Sequence, residues 1–129
     1  MLVNAGKDLI YQNMASLSQA AAANYIALTA NNTPPAAGDT SLAGEITTPG
    51  GGLVRAQATP AHTNGTSTYT LTHTYTANGS DSLPVTINKI GVFNATSGPT
   101  MMFETLVSPS ATLSVVGDSV TVTDTVTLT

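Results

Sequence analysis

An antiparallel β-sandwich or jelly-roll-like barrel with one short N-terminal helix is the fold the sequence predicts, as a single β-domain over residues 1–129. Three observations predict it. The runs STYTLTHTYTA (67–77) and SVTVTDTVTLT (119–129) alternate strictly, with threonine on one face and mostly larger side chains on the other. Asn-Gly, Gly-Asp and Pro/Gly clusters punctuate the chain roughly every ten residues, the spacing of short antiparallel strands. Helical periodicity is confined to the amino-terminal segment, residues 1–23.

Residues 5–17 read as that helix. Asn4 is placed to cap it, Asp8 suits its positive N-terminal end, and Ile10, Met14 and Leu17 recur at i, i+4 and i+7 as one apolar face. Ser16, Ser18 and the run Ala20–Ala23 extend or end it. A strand over Asn24–Ala30 comes next. Residues 31–52 form a long Pro/Gly-rich surface loop, because Pro34 and Pro35 lack the amide a central strand needs and Gly38 breaks any regular element after them. Within it Leu42–Ile46 forms a short turn or helical piece, and Pro49-Gly50-Gly51-Gly52 is a hinge. Loops of this length usually mean function or mobility.

The remainder reads as a meander. Leu53–His62 is a strand, and Asn64-Gly65 is the signal of a type I′ turn. Ser67–Ala77 points Tyr69, Leu71, His73 and Tyr75 one way and its threonines the other. Asn78-Gly79 turns again, Leu83–Asn94 is the next strand, and Ala95–Pro99 turns into a strand over Thr100–Val107. Pro109 interrupts, and Thr112–Val116 and Ser119–Thr129 join at Gly117-Asp118.

Composition narrows the partners. Hydrophobic residues make up 41% but charged residues only 8%, against about 25% in an ordinary globular chain. The polar surface is therefore built from Thr, Ser and Asn, which cost less to desolvate at a contact than charges. Lysine is almost absent from the strands, so the sheet edges lack their usual guard, as suits a chain that packs beside copies of itself. The net charge is −4, and Lys7, Arg55 and Lys89 are the only Lys or Arg cations. Three scattered cations cannot track a phosphate backbone, so direct nucleic-acid binding is not expected. No apolar run approaches the ~20 residues of a spanning helix, so no membrane is expected. The chain has no cysteine, which excludes disulfides and thiolate chemistry. No signal-peptide pattern opens it, so synthesis in a cytoplasm is expected. The Asn-x-Ser/Thr triplets are read as products of composition.

The chemistry-bearing residues are few. His73 reads as a packed, hydrogen-bonded imidazole in a face with two tyrosines, and His62, before a turn, as a solvated one. Metal-ligand spacings, the Gly-x-Ser-x-Gly nucleophile pattern and the phosphate-binding glycine motifs are missing, so no metal, no cofactor and no catalysis are expected. Asp124 is the odd residue, a carboxylate in an otherwise apolar strand face. An ion pair with Arg55 or Lys89 would offset its burial and depress its pKa.

Six stretches taken together resemble a known group: NAGKDLI (4–10), YIALTA (25–30), PAAGDTSLAGEI (35–46), GGLVRAQAT (51–59), KIGVFNATSG (89–98) and GDSVTVTDTVTL (117–128). Their order is similar to that in small virion structural proteins of tailed bacteriophages, described as decoration, tail-fibre-like or structural proteins. The group usually has an acid before the Ile-Gly pair, where this chain has Lys89. The resemblance implies that INKIGVFNATSG (87–98) is a core strand and hairpin, with the glycine permitting close packing and Phe93 filling the core. It implies a capsid decoration (cement) protein on the exterior of the virion, made in the bacterial host cytoplasm. Its partners would be itself, as a homo-oligomer and by expectation a trimer, and the phage major capsid protein. The alternative is a tail, baseplate or tail-fibre adaptor protein. A glycan-binding or glycan-cleaving module is the third reading, and the absence of Trp with only four Tyr counts against it. The helix and the 31–52 loop are the segments a β-meander does not need. Asn4, Lys7, Tyr11, Pro34, Pro35, Asp39, Leu42 and Glu45 are thus the expected contact residues, with the Asn64-Gly65 and Asn78-Gly79 tips pointing away.

Overall fold

The computed structural model describes residues 1–15, 20–98 and 100–129. It contains helix α1 (Asn4–Met14) and strands β1 (Tyr25–Thr29), β2 (Ala56–Gln57), β3 (Thr59–His62), β4 (Thr68–Thr76), β5 (Val85–Phe93), β6 (Met101–Leu113) and β7 (Ser119–Thr127). The strands form two antiparallel sheets, one four-stranded in the order β2-β1-β5-β6 and one three-stranded in the order β3-β4-β7. The two sheets face each other as a sandwich, and the expected fold class holds.

The pairing departs from a meander. β4 and β5 are consecutive in sequence yet lie in different sheets, so Asn78-Gly79 is a crossing between layers and not a hairpin. Side chains build that corner: Asn78 Oδ1 accepts from the Ser80 amide at 2.9 Å, and Asp81 Oδ2 accepts from the Asn78 and Gly52 amides at 2.8 and 2.9 Å. β6 and β7 also part at Gly117-Asp118, where Asp118 Oδ2 accepts from the amides of Ser114 and Val115. The expected strand over Leu53–His62 divides into β2 and β3, one in each sheet, with buried Ala58 at the crossing. The turn at Asn64-Gly65 is not type I′. Only Gly65 has positive φ, at 84°, and Thr66 N donates to Thr63 O, the pattern of a type II turn.

Pro109 does not interrupt its strand. β6 is an edge strand, and its register with β5 jumps between Ile87↔Ala111 and Lys89↔Leu106. The proline therefore sits in a bulge where no ladder amide is required. The hairpin after β5 forms as expected, with Asn94 N donating to Thr100 O. Its Pro99 lies outside the described residues.

The main core fills the space between the sheets. Ile26 and Leu28 of β1 with Ile87, Ile90 and Val92 of β5 meet Leu71 and Tyr75 of β4 and Val122 of β7. Tyr75 donates its hydroxyl to the Ile26 carbonyl at 2.6 Å, a hydrogen bond across the two layers, and burial pushes its pKa up. A second cluster (Val3, Ala27, Leu42, Phe93, Met101) covers the opposite face of the four-stranded sheet.

α1 seats that second cluster, but through another face than its spacing suggests. Gly6 and Leu9 are its buried residues, whereas Met14 is 81% exposed. A Cβ on Gly6 would collide with the Met102 carbonyl, so glycine sets how closely the helix approaches β6. Asn4 does not cap the helix. Val3 holds that position, and Asn4 Oδ1 instead accepts from Lys7 Nζ at 3.1 Å. The expected continuation through Ser16, Leu17 and Ser18 lies outside the described residues.

Candidate functional site

Three regions concentrate chemistry: a cap on the four-stranded sheet, a cleft at one edge of the sandwich, and the outer face of the three-stranded sheet.

The cap joins the two segments that a sheet does not need. Asn4 N donates to Ala37 O at 2.9 Å, which ties α1 to the 31–52 loop. Thr29, fully buried, places its hydroxyl between the carbonyls of Ala43 and Gly44 at 2.7 and 2.9 Å, and Leu42 sinks beneath the loop at 4% exposure. The loop is anchored to the sheet, and so Leu42 is a core residue and not a contact residue.

Two ion pairs fasten this cap, and both use the cations expected at Asp124. Lys89 and Glu104 face outward from β5 and β6 into the underside of the loop. They meet at 2.5 Å with side-chain exposures of 2% and 1%, and Lys89 Nζ also donates to Thr33 O at 3.0 Å. Burial pushes the Glu104 carboxyl up while Lys89 draws it back, and Asp39, within hydrogen-bond reach, adds to the rise. Asp39 itself is held below the usual carboxylate range, first by the Ala36 amide at 2.8 Å and then by Glu104. Glu104 Oε2 is buried without a hydrogen-bond partner among the described residues.

The second pair is Arg55 with Glu45. Arg55 Nε and Nη2 reach the two carboxylate oxygens at 2.9 and 2.7 Å, a bidentate fork. Its Nη1 donates to the carbonyls of Ala95 and Gly98 at 3.1 and 2.8 Å, and the guanidinium stacks 3.5 Å over the Phe93 ring. One side chain thereby holds the loop, the β5–β6 hairpin and the second core cluster together. Glu45 is accordingly a structural partner rather than a free contact residue.

The ion pair expected for Asp124 does not form, because Arg55 and Lys89 are engaged on the far side of the four-stranded sheet. Asp124 lies opposite Leu71, on the inward side of β7, and is half-buried in a cleft of about 310 Å³ between β6 and β7. Burial pushes its pKa up, with the chain's amino group partly opposing the rise; the expected depression is reversed.

The outer face of the three-stranded sheet is the least ordinary surface. Thr68, Thr70, Thr72, Thr74 and Thr76 of β4 stand across from Thr127, Thr125, Thr123, Thr121 and Ser119 of β7, and Thr59 and Ala61 of β3 continue the rungs at Thr72 and Thr70. Thr74 and Thr121 share a hydroxyl hydrogen bond at 2.8 Å, and Thr76 and Ser119 one at 2.9 Å. No charged side chain stands in this face. On the inner side of β4, His73 meets Tyr75 edge to face with ring centroids 4.6 Å apart, so the expected packing is present but, among the described residues, not the expected hydrogen bond. His62 Nδ1 lies 2.8 Å from the Thr68 carbonyl and is exposed.

Of the expected contact residues, Asn4, Lys7, Tyr11 and Pro34 are exposed, Pro35 and Asp39 are half-buried, and Leu42 and Glu45 serve the fold. Glu104 was not singled out in the sequence; its one signal is an acid inside a predicted strand, aligned with the face of Gly91 and Lys89. Among the described residues no three His, Asp or Glu side chains gather to hold a metal, and no helix is long and apolar enough to cross a membrane. Comparison with protein-family models, with curated proteins and with solved structures finds no match to this chain.

Proposed function

We propose that this chain is a structural protein of a tailed-bacteriophage particle, a decoration protein that binds the repeated lattice of the major capsid protein from outside and holds neighbouring subunits together. The observation that carries this reading is the charge-free threonine face. A partner that covers it displaces water from hydroxyls and methyls and desolvates no ion. The β-branched side chains are restricted at χ1 before contact, so little side-chain entropy is lost on docking.

Size indicates how the face works. Two strands of nine residues and one of four present about 350 Å², from strand rise and spacing. A stable contact buries about 800 Å² on each partner. A single face supplies about half of that, so tight attachment requires several linked copies engaging a repeating surface. Such avidity is what a capsid lattice offers and what a homo-oligomer, by expectation a trimer, exploits. The cap serves this role mechanically, since its buried ion pairs stiffen the sheet behind the contact.

The test is occupancy of particles prepared without this chain. Purified protein added back should saturate lattice positions on the head, visible as regular density. Thr72→Lys, which places a charge at the centre of the face, should reduce occupancy at least tenfold without changing the far-UV spectrum. Binding to the tail alone, or undiminished occupancy by the Thr72→Lys protein, would overturn the assignment.

A further inference from the structure

The edge of the sandwich where β6 and β7 run side by side is unclosed. β6 ends one sheet and β7 ends the other. The cleft between them has an apolar floor of Ile87, Ile90 and Val122, and Leu106, 41% exposed, stands at its rim. Thr105, Ser108, Thr121 and Thr123 add hydroxyls to the lining, and its one carboxylate, Asp124, belongs to neither ion pair among the described residues. Tyr69 on β4 and the chain's amino group are the other titratable groups near it.

The complementary surface is on the same chain. With Arg55 and Lys89 engaged, Lys7 is the one Lys or Arg without an acid partner among the described residues; its ammonium bonds only Asn4. Lys7, Tyr11 and Met14 recur at i, i+4 and i+7 on α1. Tyr11 and Met14 are 62% and 81% exposed, the two most exposed of the large apolar side chains that α1 carries. α1 packs on the outer side of the four-stranded sheet, whereas the cleft opens between the sheets. The cation and the carboxylate of one molecule thus belong to different surfaces.

We propose that the β6/β7 cleft receives α1 of a second copy of this chain, with Lys7 meeting Asp124 and with Tyr11 and Met14 covering its apolar part beside Leu106. The dimensions agree. Lys7 to Met14 spans about 10 Å along a helix axis, and Val120 to Asp124 about 13 Å along a strand. The pair matches a desolvated anion to an exposed cation that carries its own apolar surround, the pattern that gives an interface its register. Donor and acceptor surfaces differ, so the contact is head-to-tail and closes into a ring where the rotation permits.

This contact goes beyond the particle-binding reading and is tested without particles. Sedimentation velocity of the purified chain, from low to high micromolar, should show reversible self-association. Lys7→Glu and Asp124→Lys should each weaken it by about tenfold or more, and the double variant Lys7→Glu/Asp124→Lys should recover it. Where Asp124→Lys disturbs folding, as judged by far-UV circular dichroism, Asp124→Asn removes the charge at nearly constant volume and should weaken association in the same direction. A wild-type monomer at high micromolar concentration would overturn the contact. So would association indifferent to both charge reversals, or a double variant with no recovery. A chain that stays monomeric yet coats particles would reject this interface and leave the particle role standing. A chain that associates as described but ignores particles would do the reverse.

Discussion

The two sheets of this sandwich are finished differently. The four-stranded sheet is covered on both faces, by the main core on one side and by α1 with the 31–46 part of the loop on the other. The three-stranded sheet is covered once, and its second face is bare threonine. The charges respect that division. Both described ion pairs lie under the cap, while the threonine face has none. A sheet buried on both faces has to satisfy any polar group it carries, and Lys89 with Glu104 does so at close range. A sheet bare on one face has no such constraint on its outward side chains. The sharpest way to test that division is to perturb equivalent strand positions in the two sheets.

The largest effect is expected at Glu104. Glu104→Ala leaves the Lys89 ammonium buried without its anion, a change that typically costs about 3–5 kcal/mol. Urea denaturation should show that loss, and Lys89→Met combined with Glu104→Leu should recover most of it, since an apolar pair of similar volume needs no desolvation. Failure of the double change to recover stability would mean that the ion pair also fixes the loop through Thr33. Next in size is Arg55→Lys, which keeps the charge but loses the bidentate fork, one or both hairpin carbonyls and the stack on Phe93. A loss of about 1–3 kcal/mol is expected, with faster amide exchange at Asn94–Gly98 than in β4.

These two sites also show what was legible in the sequence. β4 and β7 were readable because a strand buried on one face prints its burial as alternation, and Thr68–Thr76 and Ser119–Thr127 do so without a break. Strand partnership was not readable. Asn78-Gly79 has the composition of a hairpin, but whether β5 turns back beside β4 or crosses to the other layer depends on what Asp81 and Gly52 hold from elsewhere. Buried charge was misread for a related reason. Asp124 stood out because its neighbours on the strand face are valines, yet neither ion pair among the described residues includes it. Glu104 was overlooked, because the cap that buries it comes from residues 33–43, far away in sequence. The helix face was misread because Gly6 packs through its lack of a side chain, which no apolar periodicity records.

A smaller effect, opposite in sign to the ion-pair expectation, is predicted for Asp124→Asn. The folded state raises the pKa of Asp124, chiefly by burial, so the folded protein holds that proton more tightly than the unfolded chain. Wild-type stability from this group is greatest below the ordinary aspartate value and declines as pH rises through the raised folded value. Asp124→Asn should therefore melt slightly higher than wild type at pH 7, by about 1 kcal/mol or less, and the two should converge on acidification. Melting curves from pH 3 to 7 at low protein concentration, where self-association does not contribute, would show it. A mutant less stable at pH 7 would mean that a cation reaches the carboxylate after all.

The smallest effect belongs to the threonine face, and its smallness is the point. Thr74→Val keeps the β-branched shape and removes one hydroxyl, breaking the 2.8 Å hydrogen bond to Thr121. Both side chains are exposed, so Thr121 regains its partner from water, and valine favours a strand at least as well as threonine. Stability should move by no more than about 0.5 kcal/mol in either direction. The loss should be far smaller than at Glu104, although both residues sit in central or paired strands of the same sandwich. If Thr74→Val instead costs more than about 1 kcal/mol, the hydroxyl ladder is itself a structural element and the threonines belong to the fold. If the change is silent in solution, these hydroxyls are dispensable to the fold, as the proposed contact role requires of a face of threonine that runs from Thr68 to Thr76 without a break.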